Sequence, residues 1–227
     1  MGPPPAQEAL RKCLSLGADD AILITDKVFS GADTLATSYV LAAALRVLDL
    51  EQPLNLIFTG KQTIDGDTAQ VGPGIAIRLG WQLLTYVSNI RELDPVAKHI
   101  LVERRAEGGV QVLKSILPAV ITILEGSNEI RFADMPGMFR AARQEVRMWS
   151  RHEINADLTQ VGLKGSPTVV ARVFAPKPKA LKAQRIEGET PEAIAETFVE
   201  RLFITFPHLE TALLEHLEQL AQQGASQ

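Results

Sequence analysis

The feature that most constrains this chain is a glycine-rich loop, Gly60 to Pro73 (GKQTIDGDTAQVGP), set between an apolar run and a helical pattern. Leu54 to Phe58 (LNLIF) reads as a strand buried on both faces. Ile75 to Leu79 has helical spacing, and Gly80 stops it. A strand, a polar loop and a helix in that order form a unit of a parallel α/β sheet, whose ligands sit at the C-terminal ends of the strands. The N–H groups of such a loop, with the positive end of the following helix, favour an anion such as a phosphate. Lys61 adds one cation, and several short polar side chains suit a nucleotide. The spacing is neither G-x-G-x-x-G nor the P-loop pattern, because the Gly-Lys pair opens the loop instead of closing it.

The flanking sequence extends the same architecture. Ala6 to Leu16 places Ala6, Ala9, Leu10, Cys13 and Leu14 on one helical face, with Gly17 as the stop signal. Ala21 to Thr25 (AILIT) is a short strand, and Ser30 to Thr34 leads into a long helix up to about Leu48, with Asp33 as its N-cap. This alternation implies a Rossmann-like parallel sheet with helical crossovers. After Gly80 the pattern changes: Leu83 to Ile90, Ile100 to Arg104 and Val110 to Leu113 read as strands, with a hairpin turn at Glu107-Gly108-Gly109. Ala119 to Leu124 returns to a buried strand, and Pro136 to Met148 reads as a helix bearing Arg140, Arg143 and Arg147. Pro176 to Lys182 reads as an extended linker. Thr190 then caps a final amphipathic helix with Pro191 at its first position. The expected division is a nucleotide-binding domain over 1–175 and a C-terminal arm over 176–227.

Composition removes several classes. A net charge of −4 with no dense basic run argues against nucleic-acid binding. No apolar stretch approaches the roughly 20 residues that span a bilayer, and the opening Met1-Gly2-Pro3-Pro4-Pro5 lacks the regions of a signal peptide. The expected location is the cytoplasm. Cys13, the single cysteine, excludes an internal disulfide and is expected to be a buried hydrophobe. His99, His152, His208 and His216 share no metal-ligand spacing, and G-x-S-x-G is absent, so neither a catalytic set nor a metal site is expected.

A second junction, Gly31 to Ser38, reads as a capped helix start or as a second wall of the same crevice, with Thr34 and Thr37 one turn apart. Asp65 and Asp67 are candidates for general bases, ribose or metal ligands, and turn formers.

Taken as a string, GKQ-x-x-DGDTAQVGPG resembles the β subunit of electron-transfer flavoproteins, at the loop that holds an adenine nucleotide in that family. The likeness runs from about Met1 to about Pro176 and more loosely beyond. GADT-x-AT, from Gly31 to Thr37, is similar to prokaryotic members that carry FAD in this subunit, electron-bifurcating ones included; other members hold only AMP. The resemblance implies FAD, with AMP as the alternative. Gly60, Lys61, Gln62, Asp65, Gly66, Asp67, Thr68, Gln70 and Val71 would surround its diphosphate or adenosine. Gly31, Asp33, Thr34 and Thr37 would approach the flavin or ribityl chain. Val102 to Gly109 followed by Leu117 to Thr122 resembles a further family signature, to which no chemistry is assigned.

Asn128 to Met138 resembles the loop that docks partner dehydrogenases, with Met135 before Pro136 as the apolar anchor and Arg131 and Met138 beside it. Two departures stand out. Glu129-Ile130-Arg131 replaces the family's Pro-Arg, and its lysine-rich helix is here Arg140, Ala141, Ala142, Arg143. Val161 to Thr168 matches another family string, expected to turn the chain towards the companion subunit. The implied role is an electron carrier, not an enzyme. Its implied partners are an α subunit holding another FAD and an acyl-CoA or other dehydrogenase, with indirect membrane contact through a quinone oxidoreductase. An ATP-dependent enzyme or hydrolase of the same fold, that of the adenine nucleotide alpha hydrolases, is the rival from another class. In the family a strand, a helix and a strand precede the segment resembling Met1 to Pro4. The chain is therefore expected to be N-terminally incomplete, with AILIT and LNLIF pairing directly or leaving unpaired edges.

Overall fold

The computed structural model describes residues 1–176 and 183–224, with side chains up to residue 216. Of the expected linker, all but Pro176 lies outside the described residues. Internal contacts group the chain into Met1–Arg172 and Val173–Gln227.

The first unit opens with a single 3-10 turn, Pro4–Ala6, leading into α1 (Gln7–Ser15). Leu14 is fully buried, and Ala6, Leu10 and Ala18 pack with it against Ala21, Leu23, Ala141 and Val146. Cys13 is exposed, against expectation. The i, i+4 series 6, 10, 14 carries the buried stripe, which leaves Ala9 and Cys13 on the outer flank. β1 (Ile22–Ile24) pairs in parallel with β7 (Arg147–Trp149), Ile22 opposite Arg147 and Ile24 opposite Trp149.

Arg147 therefore belongs to a strand and not to the expected helix. α4 (Met135–Arg143) ends where Gln144 turns to extended backbone, φ −72° and ψ 131°. Burial of Val146 and Trp149, together with the ladder to β1, holds the segment extended. The Arg147 guanidinium lies 4.9 Å from the Trp149 ring centroid and donates to Glu51 at 2.8 Å and Asp20 at 3.2 Å.

α2 (Thr34–Glu51) is buried on two sides. Val40, Ala43 and Ala44 meet Ile24, Phe29 and Trp149, whereas Leu41 and Leu45 meet Ile57 and Ile75. Its alanines permit this close approach and explain the lack of one clear polar face.

The larger sheet has the order β2-β6-β3-β4-β5, with β2 (Leu56–Gly60), β3 (Gln82–Asp94), β4 (His99–Ala106), β5 (Gly109–Ile116) and β6 (Ala119–Ile123). β2 and β3 flank β6 in parallel, and β3, β4 and β5 form an antiparallel meander. At the centre, Ala119, Val120 and Ile121 are fully buried. β3 bends at Tyr86, which has φ +56° between shifted registers and donates its N–H to Thr122 Oγ1 at 3.0 Å. The bend folds the meander back, so that Ile100 and Val102 pack on Leu84, Ala119 and Ile121. The expected turn between β4 and β5 forms at Glu107-Gly108, where glycine takes φ +81°.

β2 is not buried on both faces along its whole length, which corrects the sequence reading. Ile57 packs beneath the helices and Leu56 against the cluster of Leu84, Ala119 and Ile121, but Phe58, further along this edge strand, is 51% exposed. β1 and β2 do not pair directly; each lies in its own sheet. α3 (Val71–Leu79) follows β2 and ends at Gly80, φ +71°.

In the second unit, Thr190 caps α5 (Pro191–Thr205) by accepting from the Ala193 N–H at 3.2 Å. A second helix, α6 (Pro207–Gly224), follows where one was expected. Pro207 lacks an N–H and forces Phe206 out of helical geometry, which separates the two.

Candidate functional site

The C-terminal end of β2 opens into a crevice of about 570 Å³ between the start of α2 and the loop leading to α3. Both glycine-bearing segments line it. Asp33, Thr34 and Thr37 come from one wall, and Gly60, Lys61, Gln62, Asp65, Gly66, Thr68, Gln70 and Val71 from the other. Thr34 Oγ1 donates to Gln70 Oε1 at 2.7 Å, tying the two walls across 36 residues of sequence.

Two predicted residues stand off the crevice lining. Gly31 takes φ +74° beneath Leu163, where a Cβ would come within 2.7 Å of the leucine side chain, so this glycine serves a tight turn. Asp67, at φ +49°, accepts from the Gln62 amide and borders the neighbouring cavity beside Phe58 and Glu125.

Asp33 lines the crevice, but its oxygens are already engaged. Oδ1 accepts from the N–H groups of Leu35 and Ala36, both at 3.0 Å; Oδ2 accepts from the Thr168 N–H at 3.2 Å and hydroxyl at 2.9 Å. Burial pushes the carboxyl upward, yet the donors Ala36, Thr168 and Leu35 together outweigh it and hold the group below its ordinary value. The Asp33 N–H in turn donates to Ser166 Oγ at 2.8 Å. The 161–168 string, expected only to turn the chain, thus clamps the start of α2. Gly162 and Gly165 make the tight fold possible, since a Cβ on either would sit 2.1 Å from backbone of Val28 or Gln160.

Asp65 is held below the ordinary carboxylate value by the Thr63 side chain first, then by its own and the Gly66 N–H groups. A group held ionised in this way is a turn former and a weak general base at neutral pH. Among the described residues no cluster of three His, Cys, Asp or Glu has the geometry of a metal site.

Close packing of α3 sets the shape of the crevice floor. A Cβ on Gly72 would meet Thr59 Oγ1 at 2.6 Å and Thr122 Cγ2 at 2.7 Å; one on Gly74 would meet Ser38 Cβ and Oγ at 2.7 Å. The first-turn N–H groups of α3 have no intrahelical acceptors and lie at the positive end of the helix. Lys61 forms no ion pair among the described residues. Donors, a cation and tight glycines fit a phosphate-bearing ligand. Thr59, Thr63 and Leu41 also line the site and were not singled out from sequence. Thr59 carried one signal, its place at the C-terminal end of an apolar strand.

Asn128 to Met138 presents an apolar surface elsewhere on the same unit. Phe132 is 97% exposed and Met135 58%, with Ile130, Met138 and Phe139 also exposed. Met135 therefore lies on the surface. Asp134 caps α4 by accepting from the Gly137 N–H at 2.7 Å, which fixes Met135 and Pro136 at the helix start, while Arg131 is exposed before it.

Comparison with known proteins accords with this geometry. The electron transfer flavoprotein domain family matches residues 1–154, and the chain belongs to that family. It is 59% identical over 213 residues to Protein FixA of Azotobacter vinelandii, across 92% of this chain and 76% of the relative. It is 40% identical to the caffeyl-CoA reductase-Etf complex subunit CarD of Acetobacterium woodii, covering 89% of this chain and 74% of that one. The electron transfer flavoprotein subunit beta of Megasphaera elsdenii is 38% identical, covering 89% and 75%. The chain is therefore of the β type, and its class is that of electron-transfer subunits. Among the described residues no helix is long and apolar enough to cross a membrane.

Proposed function

We propose that the crevice binds FAD and that the chain passes electrons as one half of a heterodimer with an α-type subunit. The observation that carries this reading is the convergence of the 31–37 and 60–71 segments on one crevice, joined by the Thr34–Gln70 hydrogen bond. The α3 N-terminus and Lys61 would hold the diphosphate, and Thr34 and Thr37 would approach the ribityl chain. The bound flavin supplies the redox chemistry, and the protein orients it and shapes its surroundings.

Met135, with Arg131, Pro136 and Met138, would dock a dehydrogenase, acyl-CoA dehydrogenases among the candidates. Exposed, flexible thioethers suit an anchor that must fit more than one pocket. A relative named as part of a reductase-Etf complex supports a partner of that kind. The exposed apolar side chains of α5 and α6, Phe198, Val199, Ile204 and Leu213 among them, would contact the α subunit. The heterodimer would work in the cytoplasm and reach the membrane through a quinone oxidoreductase.

One observation favours AMP instead. Among the described residues no aromatic side chain lines the crevice to stack on a flavin ring. Co-expression with the neighbouring α gene and a flavin count decide between the two. Two flavins per heterodimer support FAD here, and one flavin with one AMP supports the second reading. Neither nucleotide in this chain refutes both.

A further inference from the structure

Among the described residues, two buried side-chain polar atoms have no hydrogen-bond partner: Thr59 Oγ1 and Arg104 Nε. Thr59 lies on the crevice floor next to the end of β2, with part of the residue open to the crevice. Its hydroxyl, however, is turned under the first turn of α3, 2.6 Å from the place a Gly72 Cβ would occupy. The neighbouring hydroxyl, Thr122 on β6, is already engaged by the Tyr86 N–H. A buried hydroxyl without a partner is unfavourable, and a threonine has a simple remedy. One staggered step about χ1 carries Oγ1 to a different position on the same residue. That step would bring the hydroxyl into the crevice, at the helix end whose N–H groups and dipole favour an anion.

We propose that Thr59 is a positioning residue for the nucleotide, its hydroxyl rotating into the crevice on binding to donate to a phosphate oxygen. This rests on the reading of the crevice as an adenine-nucleotide site.

The test titrates the full chain, wild type and variants, with AMP and with adenosine by calorimetry. Thr59→Val removes the hydroxyl while keeping the branched shape, and Thr59→Ser keeps the hydroxyl. The expected result is that Thr59→Val weakens AMP about tenfold or more, the size of one hydrogen bond to a charged acceptor. Adenosine binding is then unchanged, and Thr59→Ser stays within about twofold of wild type for AMP. The melting temperature of ligand-free Thr59→Val does not fall, because no existing hydrogen bond is lost. AMP binding by Thr59→Val at wild-type strength overturns the proposal, as does an equal loss for AMP and adenosine, which would place the hydroxyl on the ribose. A wild-type chain that binds neither probe overturns the nucleotide reading itself, and this inference with it.

Discussion

Replacing Asp33 by alanine tests how the crevice is built. The carboxylate joins two things: the first turn of α2, through Leu35 and Ala36, and the 161–168 segment, through Thr168. Loss of an N-cap costs about 1 kcal/mol. The two bonds from Thr168 go to a charged acceptor, but on a partly solvated surface, so they add about 1 kcal/mol more. A total of about 2 kcal/mol corresponds to a fall of roughly 4–8 °C in melting temperature for a domain of this size. Urea midpoints compared at constant slope measure the same loss. Asp33→Asn should lose about half as much, since asparagine caps nearly as well.

The acid dependence has a definite sign. The folded-state value of Asp33 lies below the ordinary 3.8. Its contribution is therefore complete above that ordinary value and disappears as pH falls through the lower, folded one. The gap between wild type and Asp33→Ala should be constant near neutrality and close in acid. An Asp33→Ala protein as stable as wild type would refute the reasoning, as would a gap that persists unchanged below both values.

Further substitutions probe other parts. Gly74→Ala places a methyl within 2.7 Å of Ser38 Cβ, an atom that cannot rotate away, and should lower stability by about 1–3 kcal/mol in a urea titration despite alanine's better helix propensity. Thr122→Val leaves the Tyr86 N–H without its acceptor at a strained position and should cost about 1–3 kcal/mol by the same measurement. Met135→Asp changes an exposed side chain, so the melting temperature should hold while capture of the dehydrogenase in a pull-down falls at least tenfold. Unchanged capture would remove Met135 from the docking surface.

What could be read from the sequence was local. Asp33 and Thr190 cap helices because their side chains reach N–H groups two and three residues on. Gly80 ends a helix because it takes a left-handed backbone at no steric cost. The glycine-rich loop follows a strand and precedes a helix as its residues dictate, and the family follows from that string.

Partners distant in sequence were not readable. Thr168 on Asp33 and Gln70 on Thr34 are meetings across 135 and 36 residues, set by how the start of α2 packs against the 161–168 segment and against the start of α3. Arg147 has helical spacing to Arg140 and Arg143, yet pairing with β1 outweighs that local preference. Cys13 and Phe58 are apolar by type, and only the placement of neighbouring elements leaves them exposed. Local rules act within about one turn of chain, so the sequence alone settled the caps, the turns and the place of the glycine-rich loop. Burial and long-range pairing depend on which surfaces meet, and that was decided only when the whole chain packed.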